Sequence, residues 1–107
     1  LRGESIKMII DYYMEMNQWN LAYLYSKFAV ETFHGKNPYP HRLLFIDEVL
    51  YNWKFLDVHC MVSYHARRMD EAKEYYTKLL NLTKVNPGMF PPEDIARIEG
   101  NKKFFMS

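Results

Sequence analysis

Histidine, cysteine and paired acidic side chains are the groups in this sequence that could carry chemistry, as metal ligands, nucleophiles or acid–base pairs. His59, Cys60 and His65 fall together in "HCMVSYH". Zinc ligands on one helix stand three or four positions apart, but these histidines are separated by six positions, about 240° around the helix axis. Cys60 lies on an apolar face, where a cysteine usually serves as a small core residue. We therefore predict neither a metal site nor a nucleophile here.

The acidic pairs of the chain are Asp47–Glu48, Asp70–Glu71 and Glu93–Asp94. Two of these pairs fall at predicted helix starts, where carboxylates are favoured because they complement the helix dipole. The sequence contains neither an Asp-x-Asp metal motif nor a glycine-rich phosphate loop. No grouping of acid, base and nucleophile emerges from the sequence. We therefore predict that this chain is not catalytic by itself and holds no metal and no cofactor.

The apolar residues recur with the period of a helix, at positions i, i+3, i+4 and i+7. Ile6, Ile9, Ile10 and Tyr13 show this spacing near the N-terminus, and it recurs along the chain. Breaks fall at the Gly- and Pro-containing stretches "GKNPYP" and "NPGMFPP". We predict an all-α fold with helices near residues 4–17, 20–34, 43–66, 70–84 and 92–104.

A helix–turn–helix unit occurs twice, with a spacing of 50 residues. The stretch "NQWNLAYLYSKFA" aligns with "RRMDEAKEYYTKL", so that Ala22 matches Ala72 and the predicted N-caps Asn20 and Asp70 coincide. Two antiparallel helices approach closely beside the turn that joins them. A bulky side chain at that point would push them beyond the usual separation of about 8–10 Å. Both alanines are therefore predicted to lie at helix crossings.

The order of a small residue and then a large or aromatic one, in the second helix of each unit, resembles the tetratricopeptide (TPR) repeat. Because the spacing exceeds the usual 34 residues, about 16 residues are inserted between the units. The resemblance implies TPR-like antiparallel helix pairs that form an α–α superhelix, with a C-terminal capping helix. Residues 1–107 then form a single TPR-like helical domain. We expect it to belong to a longer protein, because the sequence does not begin with methionine.

A second resemblance covers residues 51–105. It is carried by the Tyr/Trp-rich "YNWKFLDVHCMVSYHARRMDEA", the Pro-containing "KLLNLTKVNPG" and the closing "ARIEGNKKFF", with Arg97, Asn101 and Phe105. These stretches resemble the helical region that follows the catalytic domain in some family 2 (GT-A type) glycosyltransferases. The resemblance implies a glycosyltransferase as the parent protein, with this part non-catalytic. The pattern departs at Arg67, because the first helix in that family ends in a glycine turn.

The first helix of each TPR-like pair lines the concave face, where a protein segment would bind. The 50-residue register gives these candidate groove residues: Lys7, Asp11, Met14, Glu15, Lys54, Asp57, Met61, Tyr64 and His65. Charges of both signs together with Met and Tyr side chains suit a peptide or protein partner. Against this, two units form only a short groove, and the same side chains could be solvated or covered by neighbouring helices.

The closing motif is predicted to be structural. Arg97 and Asn101, four positions apart on the last helix, are expected to bond neighbouring helix ends or loop carbonyls. Phe105 is expected to hold the C-terminus against the second helix pair, on the face that presents Tyr75, Leu79 and Leu82. The last helix would then close the outer apolar face of the terminal unit.

Composition limits the partners and the location. The formal net charge is +1 without a long basic run, so nucleic acid is not an expected partner. No apolar stretch approaches the roughly 20 residues that span a bilayer, and the single cysteine fits a reducing, cytoplasmic compartment.

The sequence leaves two functions open. One is a non-catalytic glycosyltransferase domain that packs on its own catalytic domain or binds another protein, and the other is a free-standing adaptor that binds a protein segment in its groove.

Overall fold

The computed structural model describes residues 3–34 and 53–106. All regular structure in these ranges is helical: α1 Gly3–Glu15, α2 Trp19–Thr32, α3 Phe55–His65, α4 Met69–Val85, α5 Pro92–Gly100 and α6 Lys102–Phe105, with a 3₁₀ turn Pro87–Met89 between α4 and α5. The all-α prediction is confirmed for this part of the chain. Of these helices, none combines the length and the apolar character that crossing a membrane requires. Asp47–Glu48 and the first ten positions of the predicted helix 43–66 lie outside the described residues.

The α1–α2 and α3–α4 hairpins turn in the same way, 50 residues apart in the sequence. Asn17 and Arg67 both adopt the left-handed backbone conformation, with φ of 57° and 65°. In each turn the next N–H bonds at 2.8 Å to the carbonyl five positions earlier. This is the Schellman arrangement, in which a left-handed residue ends a helix and satisfies its last carbonyls. The repeat in the sequence therefore corresponds to a repeated backbone turn.

The predicted N-caps Asn20 and Asp70 are wrong. Helix α2 begins at Trp19 and α4 at Met69, so both residues lie inside the first helical turn. The cap positions are Gln18 and Arg68, and neither makes a side-chain cap hydrogen bond. The reason is geometric: only one residue separates the left-handed position from the next helix, so the backbone turn sets the helix start.

Ala22 and Ala72 follow the two turns at the same distance and are both 0% exposed. Their N–H groups bond to the carbonyls of the cap residues, at 3.0 Å and 2.9 Å. Each alanine therefore lies in the first hydrogen-bonded turn of the second helix of its pair. A methyl side chain with no accessible surface leaves no room for a larger one without displacement of a neighbour.

Helix α3 is the most enclosed element of the described residues. It contacts α2 on one side and α4 on the other, while α1 contacts α2. All six residues from Phe55 to Cys60 are buried, including the polar Asp57 and His59. A helix with neighbours on several sides is apolar around most of its circumference. Helix α3 therefore places polar groups inside the molecule, where each needs a partner.

The C-terminal helices pack on α4, but not through the full set of residues predicted from the sequence. The ring of Phe105 stacks on Tyr76 at 4.6 Å between centroids. The Tyr76 hydroxyl donates to the carbonyl of Ile98 at 2.5 Å. Tyr75, which the sequence placed on this face, instead meets the ring of His59 edge-on at 4.6 Å. The cap is therefore seated on Tyr76 rather than on Tyr75.

The predicted continuous helix 92–104 is interrupted at Asn101. The N–H of this residue bonds to the carbonyls of Arg97 and Ile98, at 3.1 Å and 3.2 Å, which tightens the end of α5. Gly100 and Asn101 are both weak helix formers, and helix α6 begins directly afterwards. Both Phe104 and Phe105, which follow this interruption, line the cavity described next.

Candidate functional site

A cavity of about 280 Å³ opens between α3, α4, α5 and α6. We call it the α3–α6 cavity. Its lining is mainly apolar, and the residues deepest in the fold are Cys60, Tyr76, Leu79, Ile98 and Phe105. Met61, Tyr64 and Phe104 also line it and are partly exposed, Phe104 by 50%. The site therefore combines a buried apolar floor with an accessible apolar rim.

The aromatic rings around the cavity support one another. Phe105 contacts Tyr76 in a stacked geometry, with an interplanar angle of 10°. It also meets Tyr64 edge-on, at 5.4 Å between centroids. Pairs of this kind contribute about 0.5–1.5 kcal/mol beyond the area that they bury. One terminal phenylalanine thus connects α6 to both helices of the second hairpin and forms part of the cavity wall.

Arg97 and Asp57 form the main polar contact of the cavity. The guanidinium donates two hydrogen bonds to the carboxylate, at 3.2 Å and 2.8 Å, which is the bidentate geometry. Asp57 is 8% exposed and also lies 3.6 Å from the ammonium of Lys54. The hydrogen bond to Asp57 raises the pKa of Arg97 above its ordinary value. Arg97 was expected to bond helix ends or carbonyls, but its partner is a carboxylate of α3.

Asn101 and His65 complete the polar part of the lining. The side-chain amide of Asn101 makes no hydrogen bond within the described residues, so the bonding role predicted for it is not seen there. His65 is exposed, and its ring stacks on Trp19 at 4.3 Å between centroids. This contact joins the turn of the second hairpin to the start of α2. The cavity thus has a side-chain amide available for a ligand and an exposed imidazole at its edge.

The candidate groove residues divide according to their unit. From the second unit, Asp57, Met61, Tyr64 and His65 all line the α3–α6 cavity, and Lys54 lies beside Asp57. The residues of the first unit are not part of this cavity: Lys7 and Asp11 pair with each other on α1, Met14 packs against the core and Glu15 is exposed. The structure therefore brings together one half of the set. The other half of the cavity comes from the C-terminal helices, which the groove hypothesis did not include.

A second polar site lies inside the fold, where α2, α3 and α4 meet. The imidazole of His59 lies between the hydroxyl of Ser26, 2.7 Å from Nδ1, and the carboxylate of Glu71, 2.6 Å from Nε2. The Tyr23 hydroxyl donates to the same carboxylate at 2.7 Å, and Lys27 lies 3.8 Å from it. We call these residues the His59 cluster. They include an acid, a base and a hydroxyl in sequence-distant positions, a grouping that the sequence did not reveal.

The charges of the His59 cluster follow from its burial. Burial lowers the pKa of His59, although Glu71 acts in the opposite direction. Partial burial opposes ionisation of Glu71, but the hydrogen bonds from Tyr23 and His59 bring its pKa below the ordinary value. A carboxylate accepts only, so Nε2 of a neutral His59 carries the proton and donates to Glu71. Nδ1 then accepts from the hydroxyl of Ser26.

This geometry does not make Ser26 a usable nucleophile. Ser26 and His59 are both 0% exposed, so the folded chain gives a substrate no access to the hydroxyl. An acyl-transfer site needs the reacting atom within reach of both nucleophile and oxyanion donors. Glu71 was interpreted from the sequence as one of two acids at a helix start. Here it also connects α4 to α2 and α3, so the His59 cluster joins three helices through a network whose centre, Ser26 and His59, is buried.

Cys60 belongs to the cavity floor and is not activated. Its thiol is buried and donates to the carbonyl of Asp57 at 3.2 Å. Burial raises the pKa of this thiol well above its ordinary value, so the thiolate is disfavoured. In the described part of the chain, no group of three or more His, Cys, Asp or Glu side chains is placed to hold a metal ion.

Comparisons of this chain with protein-family models, curated proteins and solved structures gave no match.

Proposed function

We propose that this chain is a non-catalytic, TPR-like helical domain that binds a protein segment in the α3–α6 cavity. The observation that carries the proposal is the cavity itself, an open apolar site that four of the predicted groove residues line. Apolar side chains of a partner gain stability when they leave water for such a pocket. A rim of partly exposed Met, Tyr and Phe side chains is typical of surfaces that bind protein.

The size of the cavity suits an anchoring side chain. Its volume of about 280 Å³ lies at the lower end of the range of small-molecule sites, about 300–1,000 Å³, and the cavity is partly open. Binding energy in protein interfaces is concentrated in a few anchors that fill pockets. One or two apolar side chains of a partner segment would fill this site. The unpaired amide of Asn101 can bond to the backbone of that segment.

The setting of the domain is a separate part of the proposal. The resemblance of residues 51–105 to the helical region of family 2 glycosyltransferases supports a segment that belongs to the catalytic domain of the same, longer protein. Without such a domain, the same cavity would serve a free-standing adaptor. The recurrence of one turn at Asn17 and Arg67 supports the TPR-like register in both settings.

A peptide-display selection on the purified chain tests the cavity directly. Selected peptides should share an apolar anchor and lose affinity by about tenfold or more for Phe104→Ala, which removes an exposed wall of the cavity. Phe28→Ala is the matched control, because Phe28 is 45% exposed but lies on α2, outside this cavity. Equal effects of the two substitutions, or no selectable peptide, would contradict the proposal. Turnover of a nucleotide sugar by the purified chain, abolished by a substitution within it, would contradict the non-catalytic part.

A further inference from the structure

The first helix pair carries a group of exposed apolar side chains. Six large apolar residues of α1 and α2 are between 39% and 72% exposed. We call this surface the α1–α2 outer face, and its residues are Met8, Tyr12, Met16, Leu21, Leu24 and Phe28. One exposed apolar side chain is ordinary for a protein surface, but a contiguous group indicates an interaction site.

Aromatic contacts join the two halves of this face. Its three residues on α1 stand four positions apart and therefore share one side of the helix. Tyr12 meets Tyr13 edge-on at 5.4 Å, and Tyr13 stacks on Tyr25 of α2 at 5.7 Å between centroids. Tyr25 in turn lines a shallow depression of about 400 Å³, together with Ile6 and the three face residues of α2. The face is therefore continuous across both helices.

The second helix pair packs on the first through one side of α3. Phe55, His59 and Val62 stand at positions i, i+4 and i+7 of this helix, and all three are completely buried. Phe55 stacks on Phe33 at the end of α2, at 6.0 Å between centroids. His59 lies 2.7 Å from the hydroxyl of Ser26 on α2. This side of α3 is therefore the surface through which one helix pair packs on the pair before it.

The α1–α2 outer face contains the same surface of the first pair. In the 50-residue register, Met8 corresponds to Val58 and Tyr12 corresponds to Val62. The two valines are 4% and 0% exposed, whereas Met8 and Tyr12 are 72% and 58% exposed. Among the described helices, α1 packs mainly on α2, which leaves this second side of α1 uncovered. The first pair thus exposes the kind of surface that the second pair buries.

The α2 half of the face is more apolar than its counterpart on α4. Fifty positions after the three face residues of α2 stand Glu71, Glu74 and Lys78. Glu74 and Lys78 are exposed and lie 3.5 Å apart as an ion pair, as expected for a solvated helix face. Leucine and phenylalanine at the equivalent positions of α2 favour a face that is covered in solution.

The surfaces of a second copy limit what can cover this face. Head-to-tail stacking would need the side of α4 that corresponds to the α3-facing side of α2. Ser26 corresponds there to Tyr76. Tyr76 is already covered, because Phe105 stacks on it and its hydroxyl donates to the carbonyl of Ile98. The C-terminal helices thus close that end of the repeat, and the surface of a second copy that matches the face is the same face.

Charge and area both suit such a pairing. The six side chains are uncharged, while Glu15 and Glu31 lie at the two margins by helical spacing. A large side chain has roughly 150–250 Å² of surface, so the six together expose on the order of 600 Å². A standard interface takes about 800 Å² from each partner, and most crystal contacts take less than about 400 Å². The face is therefore large enough for a reversible dimer.

We propose that two copies of this chain associate symmetrically through their α1–α2 outer faces. An uncharged apolar face can pair with itself around a two-fold axis, and such a contact closes at two copies. None of the six residues lines the α3–α6 cavity, so this inference does not rest on the proposed function. Both cavities stay accessible in the dimer, which therefore offers two binding sites.

Analytical ultracentrifugation of the purified full chain tests the proposal. Sedimentation is measured over a concentration series from about 1 to 500 µM, and we expect a reversible monomer–dimer equilibrium with a Kd of about 100 µM or lower. No species larger than the dimer should form, because a symmetric contact leaves no second copy of the face free. A chain that stays monomeric over the whole series would show that something other than a second copy covers the face, and the inference would be wrong.

Matched charge variants locate the contact. Leu24→Glu/Phe28→Glu should raise the Kd of the dimer by at least about tenfold, because it places two carboxylates inside the face. Met69→Glu/Val85→Glu makes the same change in net charge at exposed apolar positions of α4 and should leave the Kd nearly unchanged. Thermal melts of both variants establish that each is folded. Equal weakening by the two pairs would contradict the assignment of the interface.

Phe104→Ala separates this contact from association through the α3–α6 cavity. Phe104 lines the cavity and lies outside the α1–α2 outer face, so its replacement should leave the dimer intact. If Phe104→Ala weakens association and Leu24→Glu/Phe28→Glu does not, the copies meet at the cavity, and the inference is overturned. Growth into species larger than the dimer would likewise show a head-to-tail contact in place of the symmetric one.

Discussion

Replacement of Phe105 by alanine is the sharpest test of how the C-terminal helices are held. Phe105 is the second-to-last described residue, a place where chains often fray. Nevertheless its side chain is only 6% exposed, against 50% for its neighbour Phe104. The two residues have the same side chain on the same short helix. Any difference in stability between their alanine variants therefore results from the burial of the side chain, and not from its composition or its helix propensity.

The expected magnitude follows from the contacts. Full burial of a phenylalanine contributes about 1.5–3 kcal/mol by transfer from water. The stacked contact with Tyr76 and the edge contact with Tyr64 add about 0.5–1.5 kcal/mol each. Truncation of a buried phenylalanine typically costs about 3–5 kcal/mol, and we expect Phe105→Ala to fall in this range. Phe104→Ala should cost less than about 1 kcal/mol.

Urea unfolding followed by far-UV circular dichroism measures both variants against the parent chain. Phe105→Ala should lower the midpoint strongly, whereas a lowered slope m would show that α5 and α6 have already separated in the folded state. The matched variant Phe104→Ala should keep the midpoint and lose peptide binding. If Phe105→Ala is as stable as Phe104→Ala, the C-terminal helix is not a cap, and the cavity has no fixed wall on that side.

Three further predictions concern the turns, the helix crossing and the His59 cluster. Arg67→Gly should stabilise the chain by up to about 1 kcal/mol in urea melts, because glycine accepts positive φ without strain. Asn17→Gly should gain less, since asparagine tolerates this conformation. Ala72→Leu should overpack the crossing and cost about 1–3 kcal/mol, and a melt at the parental temperature would refute the close-approach argument. Burial lowers the pKa of His59, so the unfolded chain binds its proton at a higher pH than the folded chain. The free energy of unfolding should therefore fall as the pH drops from about 6.5 towards the lowered pKa that His59 has in the folded chain. The His59→Gln variant should be less stable near neutral pH but lose less stability on acidification. A double variant with His34→Gln should lose still less, because burial lowers the pKa of His34 as well. The loss at lower pH that comes from Glu71, whose pKa is also lowered, should remain.

Periodicity and the 50-residue repeat were sufficient to predict the helical hairpins. The observed bounds of α1, α2 and α4 lie within two residues of the predicted ones. The predicted N-cap residues at the starts of α2 and α4 were wrong. Asn20 and Asp70 have good capping side chains, but the left-handed turns before them fix the first helical residue. Backbone geometry determined the boundary, and a side-chain preference was overridden by it.

The candidate site was only half predictable, for a different reason. The register of α3 identified Asp57, Met61, Tyr64 and His65 as one face, because that face follows from helical spacing. The other wall comes from residues on both sides of the interruption at Asn101, and no periodic signal marks such a break. The His59 cluster was not predicted, for a third reason: its members come from three helices that are far apart in the sequence. The only signal in the sequence was polar residues at buried helical positions, such as Ser26.

Helix α3 connects the two sites, and its two faces explain why a costly buried network is compatible with an apolar cavity. Asp57, Cys60, Met61 and Tyr64 lie about 100–200° around the helix axis from His59. A rotation of α3 would therefore move the cavity wall and break the hydrogen bonds of His59 at the same time. Apolar contacts alone are non-directional, and all of α3 from Phe55 to Cys60 is buried, so hydrophobicity gives this helix little preference for one rotation. The directional bonds of His59 with Ser26 and Glu71, together with the bidentate contact of Asp57 with Arg97, supply that preference. Their contribution is orientation more than net stability, since the cost of removing the Glu71 carboxylate partly from water offsets much of what its hydrogen bonds contribute. The His59 cluster and the Asp57–Arg97 pair together therefore fix the face that α3 presents to the α3–α6 cavity.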